Sequence, residues 1–340
     1  TFLEAEEGVE EMPLTLGVSA FAGCRVLTEI TLPGRLVNIS ATDAFENCDA
    51  LENVYVVGDG NYSDEDGVLC ISISGGKEII YYPVAKAGDY VVPTSVISIG
   101  DYAFNRHEGL TKITFHEGVT HIGYAAFERC DNLAEIVFEG TANSFDLTIE
   151  EMAFYNNDND ALTSVTLPAN LVSLGEYAFG DSAKLTTVYV NSGANGRQLE
   201  FAAGAFSGTS ATRYSYVTTV YLGADVPLID VAGIFGSTRL SNVIVDENNQ
   251  NYEDVEGVLY NRGVTELIFY PSTRTGEYVL PETVTRIGNN AFAGKTGLTK
   301  ITIGANVTEI GNSAFESCSG LQEVVFAASS YASLTIGSYA

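Results

Sequence analysis

A chain of 340 residues that is 46% hydrophobic and only 18% charged can bury a continuous core, and no apolar run in it reaches the length of a membrane-spanning helix. The 16 basic and 44 acidic residues leave a net charge of -28 at pH 7. That balance excludes a nucleic-acid backbone or an anionic lipid surface as partner, because both require a positive footprint, and it suits the solubility of a long surface.

The pattern opens in mid-strand. Phe2 to Phe21 resembles Phe138 to Phe154, with the acidic run Glu4 to Glu11 read as a solvated face or frayed end. Segments of the form Leu-x-x-Ile-x-Ile then start at Leu27, Leu51, Leu110, Leu133, Leu162, Leu185, Val217, Leu240, Leu298 and Leu321. Alternating β-branched and aromatic residues at period two make each a short strand. An Ala-Phe pair follows at Phe21, Phe45, Phe104, Phe127, Phe154, Phe179, Phe206, Phe292 and Phe315, with Ile234-Phe235 as a variant, at steps of roughly 23 to 29 residues. A repeat of that length predicts a solenoid.

In-register stacking gives a parallel sheet with pairs such as Ile113/Phe115 and Ile301/Ile303 facing inward. Pro33, Pro93, Pro168 and Pro281 punctuate strand ends, and the Val-x-x-Ile-Gly half of each coil, as at Val119–Gly123, turns back on glycine. The phenylalanines are predicted to stack as a spine. Cys24, Cys48, Cys130 and Cys318 each lie three residues after a repeat phenylalanine, where other coils carry His107, Asn157, Ser182, Thr209, Thr238 or Lys295. The position reads as a small wall residue with a free thiol, while Cys70 lies outside the ladder.

Two intervals, Phe45 to Phe104 and Phe235 to Phe292, are about twice the usual step and resemble each other. Gly67-Val-Leu69 answers Gly257-Val-Leu259, and Tyr82-Pro83 answers Tyr270-Pro271. Residues 57–89 and 246–277 are thus expected to be projecting β-hairpin insertions, each hiding an extra coil. The total is about twelve coils, roughly 60 Å of stack at ~4.8 Å per strand, in a single solenoid over residues 1–340. The pattern stops at Ala340, one residue short of the next phenylalanine, so the chain reads as a piece of a longer one.

The strand, the Val-x-x-Ile-Gly-x-x-Ala-Phe-x-x-Cys-x-x-Leu run, nearly intact in Val119–Leu133 and Leu298–Leu321, and the Gly-Val-Leu hairpin with its Tyr-Pro ending resemble the BspA type of leucine-rich repeat. The resemblance covers essentially the whole chain. It implies a β-rich, right-handed leucine-rich repeat superhelix with no catalytic residues, on a bacterial protein that is secreted or displayed at the cell surface. It also implies adhesion to host matrix proteins or to other bacteria.

Little in the chain points to chemistry. His107, His116 and His121 do not fit a closed tetrahedral metal set, and the acidic loop Asp59 to Gly67 has Cys70 where a calcium loop needs its bidentate carboxylate. No catalytic constellation or cofactor is indicated. What remains is binding: of a protein, of a glycan on exposed tyrosines, or none, with the solenoid serving as a spacer. The residue between the two last apolar positions of each strand points outward, at Thr31, Tyr55, Thr114, Val137, Thr166, Tyr189, Tyr221, Ile244, Thr302 and Val325. Tyr189, Tyr221 and Ile244 fall in consecutive coils, and with Tyr55 they are the candidate ligand-binding residues of a monomeric module.

Overall fold

The computed structural model describes residues 12–155, 161–208, 215–236, 239–327 and 333–340. The strand expected from Phe2, the run Glu4 to Glu11 and the ladder positions Asn157, Thr209 and Thr238 lie outside the described residues. The chain winds as a β-solenoid of about 13 turns, one more than the repeat count predicts, with almost no helix. Its front ladder holds the predicted strands in parallel groups of two, three, four and three. Equivalent residues pair with one another, Ile113 with Ile136 and Val188 with Val220, so every apolar position of one coil rests on the same position of the next.

The returning half of the coil is also a strand, where glycine alone was expected to shape it. His121–Ile122, Leu147–Ile149 and Leu171–Leu174 belong to a second parallel ladder, and Arg286–Ile287 and Glu309–Ile310 to its counterpart further along. The glycine that follows permits close approach of neighbouring coils: a Cβ on Gly123 would lie 2.9 Å from the Asp101 amide nitrogen.

Between the two ladders runs the predicted spine. Ring centroids are 4.5 Å apart for Phe104–Phe127, 4.9 Å for Phe127–Phe154, 5.0 Å for Phe154–Phe179 and 5.3 Å for Phe179–Phe206, all stacked. A backbone ladder accompanies it, in which the Phe104 and Phe127 N–H groups donate to the Ala126 and Ala153 carbonyls of the following coils. Tyr82 and Tyr270 occupy the same place in the long intervals, donating to Ala103 and Ala291 and lying against Phe104 at 4.5 Å and Phe292 at 4.9 Å. Phe21, Phe104, Phe127, Phe179, Phe292 and Phe315 each sit in a sharp bend made by left-handed residues two before and two after the ring, whereas short helices lead into Phe45 and Phe235. Around Phe104 these are Tyr102 and Arg106, both with φ of 58°. Phe127 is 1% exposed, so Phe127→Ala should cost about 3–5 kcal/mol, read as a lowered denaturant midpoint.

The cysteine ladder does more than fill a wall. The thiols of Cys48, Cys130 and Cys318 donate to the carbonyls of Phe21, Phe104 and Phe292 in the preceding coils, at 3.1, 3.1 and 2.9 Å. All five cysteines are free. Burial pushes the Cys130 thiol up to about 12, which keeps it protonated as a donor and unreactive. At the same rung His107 Nε2 lies 3.0 Å from the Pro83 carbonyl.

The two insertions contain the predicted hairpins, but they do not project. Each is a three-stranded antiparallel meander, Tyr62–Glu65, Val68–Ile73 and Gly76–Tyr81 in the first, and Tyr252–Val255, Val258–Asn261 and Glu266–Phe269 in the second. The last strand of each pairs in parallel with the returning ladder. Period-two alternation sends Leu69 and Tyr81 into the N-terminal core and Val68, Cys70 and Ile79 into the middle one. In the second meander Leu259 and Phe269 face the middle core, and Val258, Tyr260 and Leu267 face the C-terminal core. The meanders are walls buried on both faces, because each carries apolar residues on both sides of its pleat. Excising residues 246–277 while rejoining strand register should therefore unfold the flanking coils. A native-like melt by circular dichroism would show that the wall is dispensable.

Lys295 occupies the cysteine rung of the coil after the second wall and is 1% exposed. Its Nζ lies 3.4 Å from the Leu240 carbonyl and 4.4 Å from the centre of the Phe269 ring, joining segments on either side of the insertion. Burial pushes its ammonium down from the ordinary 10.5 to about 7. Between those values the unfolded chain holds a proton that the folded chain does not, so stability rises with pH across that window and is lowest below it. Lys295→Met should remove this rise between about pH 7 and about pH 9 and add about 1–4 kcal/mol at pH 7, measured by urea denaturation.

Candidate functional site

The residues that suggested chemistry have structural partners. His116 Nε2 lies 2.9 Å from the Val96 carbonyl and 3.1 Å from that of Pro93, and His121 lies 3.9 Å from Glu150. In the acidic loop, Asp64 accepts from the Val56 N–H at 2.8 Å and the Gly67 N–H at 3.3 Å. Glu65 accepts from Lys77 at 2.7 Å and Ser95 at 2.9 Å, and the lysine holds its carboxyl below the usual range. Among the described residues no group of three or more His, Cys, Asp or Glu side chains is placed to hold a metal ion.

The front ladder carries a different kind of site. The strands Ser164–Leu167, Thr187–Val190, Thr219–Leu222 and Asn242–Val245 form one four-stranded sheet without a break. Its register sets Thr166, Tyr189, Tyr221 and Ile244 side by side in one row. Their neighbours in sequence, Val188, Val190, Val220 and Leu222, are buried inward, which fixes the row's outward direction. The Tyr189 and Tyr221 rings stack with centroids 4.5 Å apart and planes 13° from parallel. Tyr189 is 38% and Ile244 44% exposed, with Tyr221 half-buried between them. Mutual stacking restrains both rings before any partner arrives, so less side-chain entropy is lost on contact. The adjacent outward row, Ser164, Thr187, Thr219 and Asn242, supplies hydrogen-bonding groups beside the apolar one.

Tyr55 does not join this surface. It pairs with Thr31 in a separate two-stranded sheet on the far side of the first meander. Thr114, although in the outward row, is only 8% exposed. Val91 and Val279, in contrast, register with Thr114 and Thr302 and are 66% exposed. The series read from the sequence omits both because their strands follow the insertions, although Tyr90-Val-Val-Pro93 and Tyr278-Val-Leu-Pro281 carry the same strand-end proline as other coils.

Among curated proteins none matches this chain. The pneumococcal vaccine antigen PcpA has a crystal structure similar to this fold, with a TM-score of 0.58 at 21% identity, over 79% of this chain and 71% of that one. A leucine-rich cell surface protein from Faecalibacterium prausnitzii aligns at 22% identity over 80% of this chain and 76% of its own, with a TM-score of 0.48. The model of the BspA type leucine rich repeat region matches six copies over residues 9–65, 80–212 and 263–340. With most of its length matched, and with the repeat strand, spine and cysteine rung all in place, the chain belongs to the BspA-type leucine-rich repeat family.

Proposed function

We propose that this solenoid is a non-catalytic protein-binding module, carried outside the cell or on its surface, that mediates adhesion to host or bacterial proteins as a monomer. The row Tyr189, Tyr221 and Ile244 is its contact centre. The observation that carries this reading is the stacked tyrosine pair beside an exposed isoleucine in three hydrogen-bonded coils. Large, restrained, amphipathic rings on a rigid sheet are what binding hot spots are made of. The family supports a non-catalytic interaction module. The net charge of -28 turns the surface away from nucleic acid, and among the described residues no helix is long and apolar enough to cross a membrane.

Glycan binding on the tyrosines is the second reading. It is weaker because the two rings cover each other's inner faces, whereas a sugar platform needs a ring face open to the ligand. Tyr189→Ser combined with Tyr221→Ser should weaken binding to a panel of purified matrix proteins at least about tenfold, the loss of ~1.4 kcal/mol of contact. The melting temperature should change by less than about 4 °C, because the removed rings lie outside the core. A glycan array run in parallel separates the two readings, and unchanged affinity on both would move the site elsewhere.

A further inference from the structure

The front ladder is interrupted at each wall, and the two interruptions differ. At the first, the turn of the meander closes the free edge of the strand Asn53–Val57. Val54 N–H donates to the Gly67 carbonyl at 2.9 Å, Val56 N–H donates to Asp64 at 2.8 Å, and Ala85 N–H donates to the Leu51 carbonyl at 2.9 Å. Gly67 is buried there, and a Cβ on it would strike Asn53.

At the second, the same sequence pattern leaves the edge open. Asn242 and Asp246 N–H groups donate to Thr218 and Leu222 in the preceding coil, so the peptides of Val243 and Val245 face the other way. Among the described residues neither a backbone carbonyl nor a carboxylate takes up those two N–H groups as Gly67 and Asp64 do at the first wall. Asp254, the counterpart of Asp64, turns back onto its own Gly257 N–H at 3.1 Å. Gly257 is exposed, and a Cβ there would meet nothing within 4 Å.

Arg274 binds the turn of the second meander. Its Nη1 donates to the Glu256 carbonyl at 2.9 Å, Nη2 lies 3.4 Å from the Glu256 carboxylate, and the guanidinium sits 5.3 Å from the centre of the Tyr278 ring. The turn is thus bonded to Arg274, where at the first wall it is bonded to the strand. Beside it lies a cleft of about 410 Å³ whose walls include Ile244, Val245, Asp254, Gly257, Pro271 and Arg274.

We propose that this cleft is a strand-addition site, in which an extended segment of a partner protein docks beside Asn242–Val245 as an extra strand of the front ladder. Its carbonyls accept from the Val243 and Val245 N–H groups, as Gly67 and Asp64 accept at the first wall. One outward side chain of the segment falls next to Ile244 and extends the Tyr189–Tyr221–Ile244 row, so an aromatic or β-branched residue fits there. A basic residue fits beside Asp254, with the exposed Asp246 and Glu247 at the strand's end adding to the negative field. The occupant is therefore a cationic, β-prone segment of another protein. A second copy of this chain, with the same charge of -28, would be repelled. The inference shares with the proposed function only the premise that the front ladder meets protein.

A phage-displayed library of random decapeptides, panned on the wild-type protein, supplies the probe. Enriched peptides should alternate β-branched or aromatic residues with polar ones and carry lysine or arginine. On binding they should slow hydrogen exchange at the Val243 and Val245 amides. Val245→Pro, which removes one donor from the free edge, and Asp254→Lys, which leaves the backbone intact, should each weaken a selected peptide at least about tenfold. Tyr189→Ser with Tyr221→Ser should leave the exchange protection in place, which separates this inference from the matrix-binding one. Failure of any peptide to protect the two amides would overturn the proposal, whatever happens to matrix binding. Dimerisation competed by the peptide would assign the cleft to a second copy and overturn the choice of partner.

Discussion

Stacking coil on coil at one strand spacing is the constraint from which the rest of this molecule follows. Parallel hydrogen bonds hold successive coils at ~4.8 Å, so whatever occupies a position in one coil must tolerate a near copy of itself directly above and below. Phenylalanine meets that condition by offset stacking, cysteine by donating its thiol across to the neighbouring backbone, and the inward valines and isoleucines by simple packing. The same constraint creates the candidate binding surface. When three consecutive outward positions are Tyr189, Tyr221 and Ile244, the ladder has no means of separating them.

The two walls modify this regular stack without ending it. Each inserts antiparallel strands with apolar residues on both faces, so that the interior is divided into three clusters rather than one. At the walls the ordinary rungs are replaced: Tyr82 and Tyr270 take the phenylalanine position, and His107 and Lys295 take the cysteine position. These longer side chains reach the carbonyls of Pro83 and Leu240. Lys295 makes its contact at the cost of burying an amine, which is why its titration is displaced so far.

The walls also decide where the front ladder has edges. A solenoid covers its strand edges with successive coils, so an uncovered edge in mid-stack exists only where a coil has been diverted. At the first wall a buried glycine and an aspartate substitute for the missing strand. At the second the turn is bonded to an arginine instead. The cleft beside it adjoins the tyrosine row, so a rigid aromatic surface and backbone donors with no acceptor among the described residues occur on neighbouring strands.

The spacing of Ala-Phe pairs and the Leu-x-x-Ile-x-Ile period by themselves determined the solenoid, the parallel front ladder, the spine and the outward row, because repetition in sequence becomes translation in space once coils stack. Tyr189, Tyr221 and Ile244 were legible for that reason, and Val91 and Val279 would have been with a fuller count. The second ladder was not legible, since two- to four-residue strands such as His121–Ile122 carry too short a pattern to show a period. Nor was the role of the insertions: alternating apolar residues in Val68–Ile73 describe a projecting hairpin and a two-sided wall equally well, and only the cores on either side distinguish them. The open edge lay furthest from reach. Tyr62–Leu69 and Tyr252–Leu259 share the pattern Tyr-x-Asp-x-x-Gly-Val-Leu, yet one closes its cleft and the other does not. One turn bonds to the strand beside it and the other to a guanidinium from a different part of the chain, and only the tertiary structure shows which.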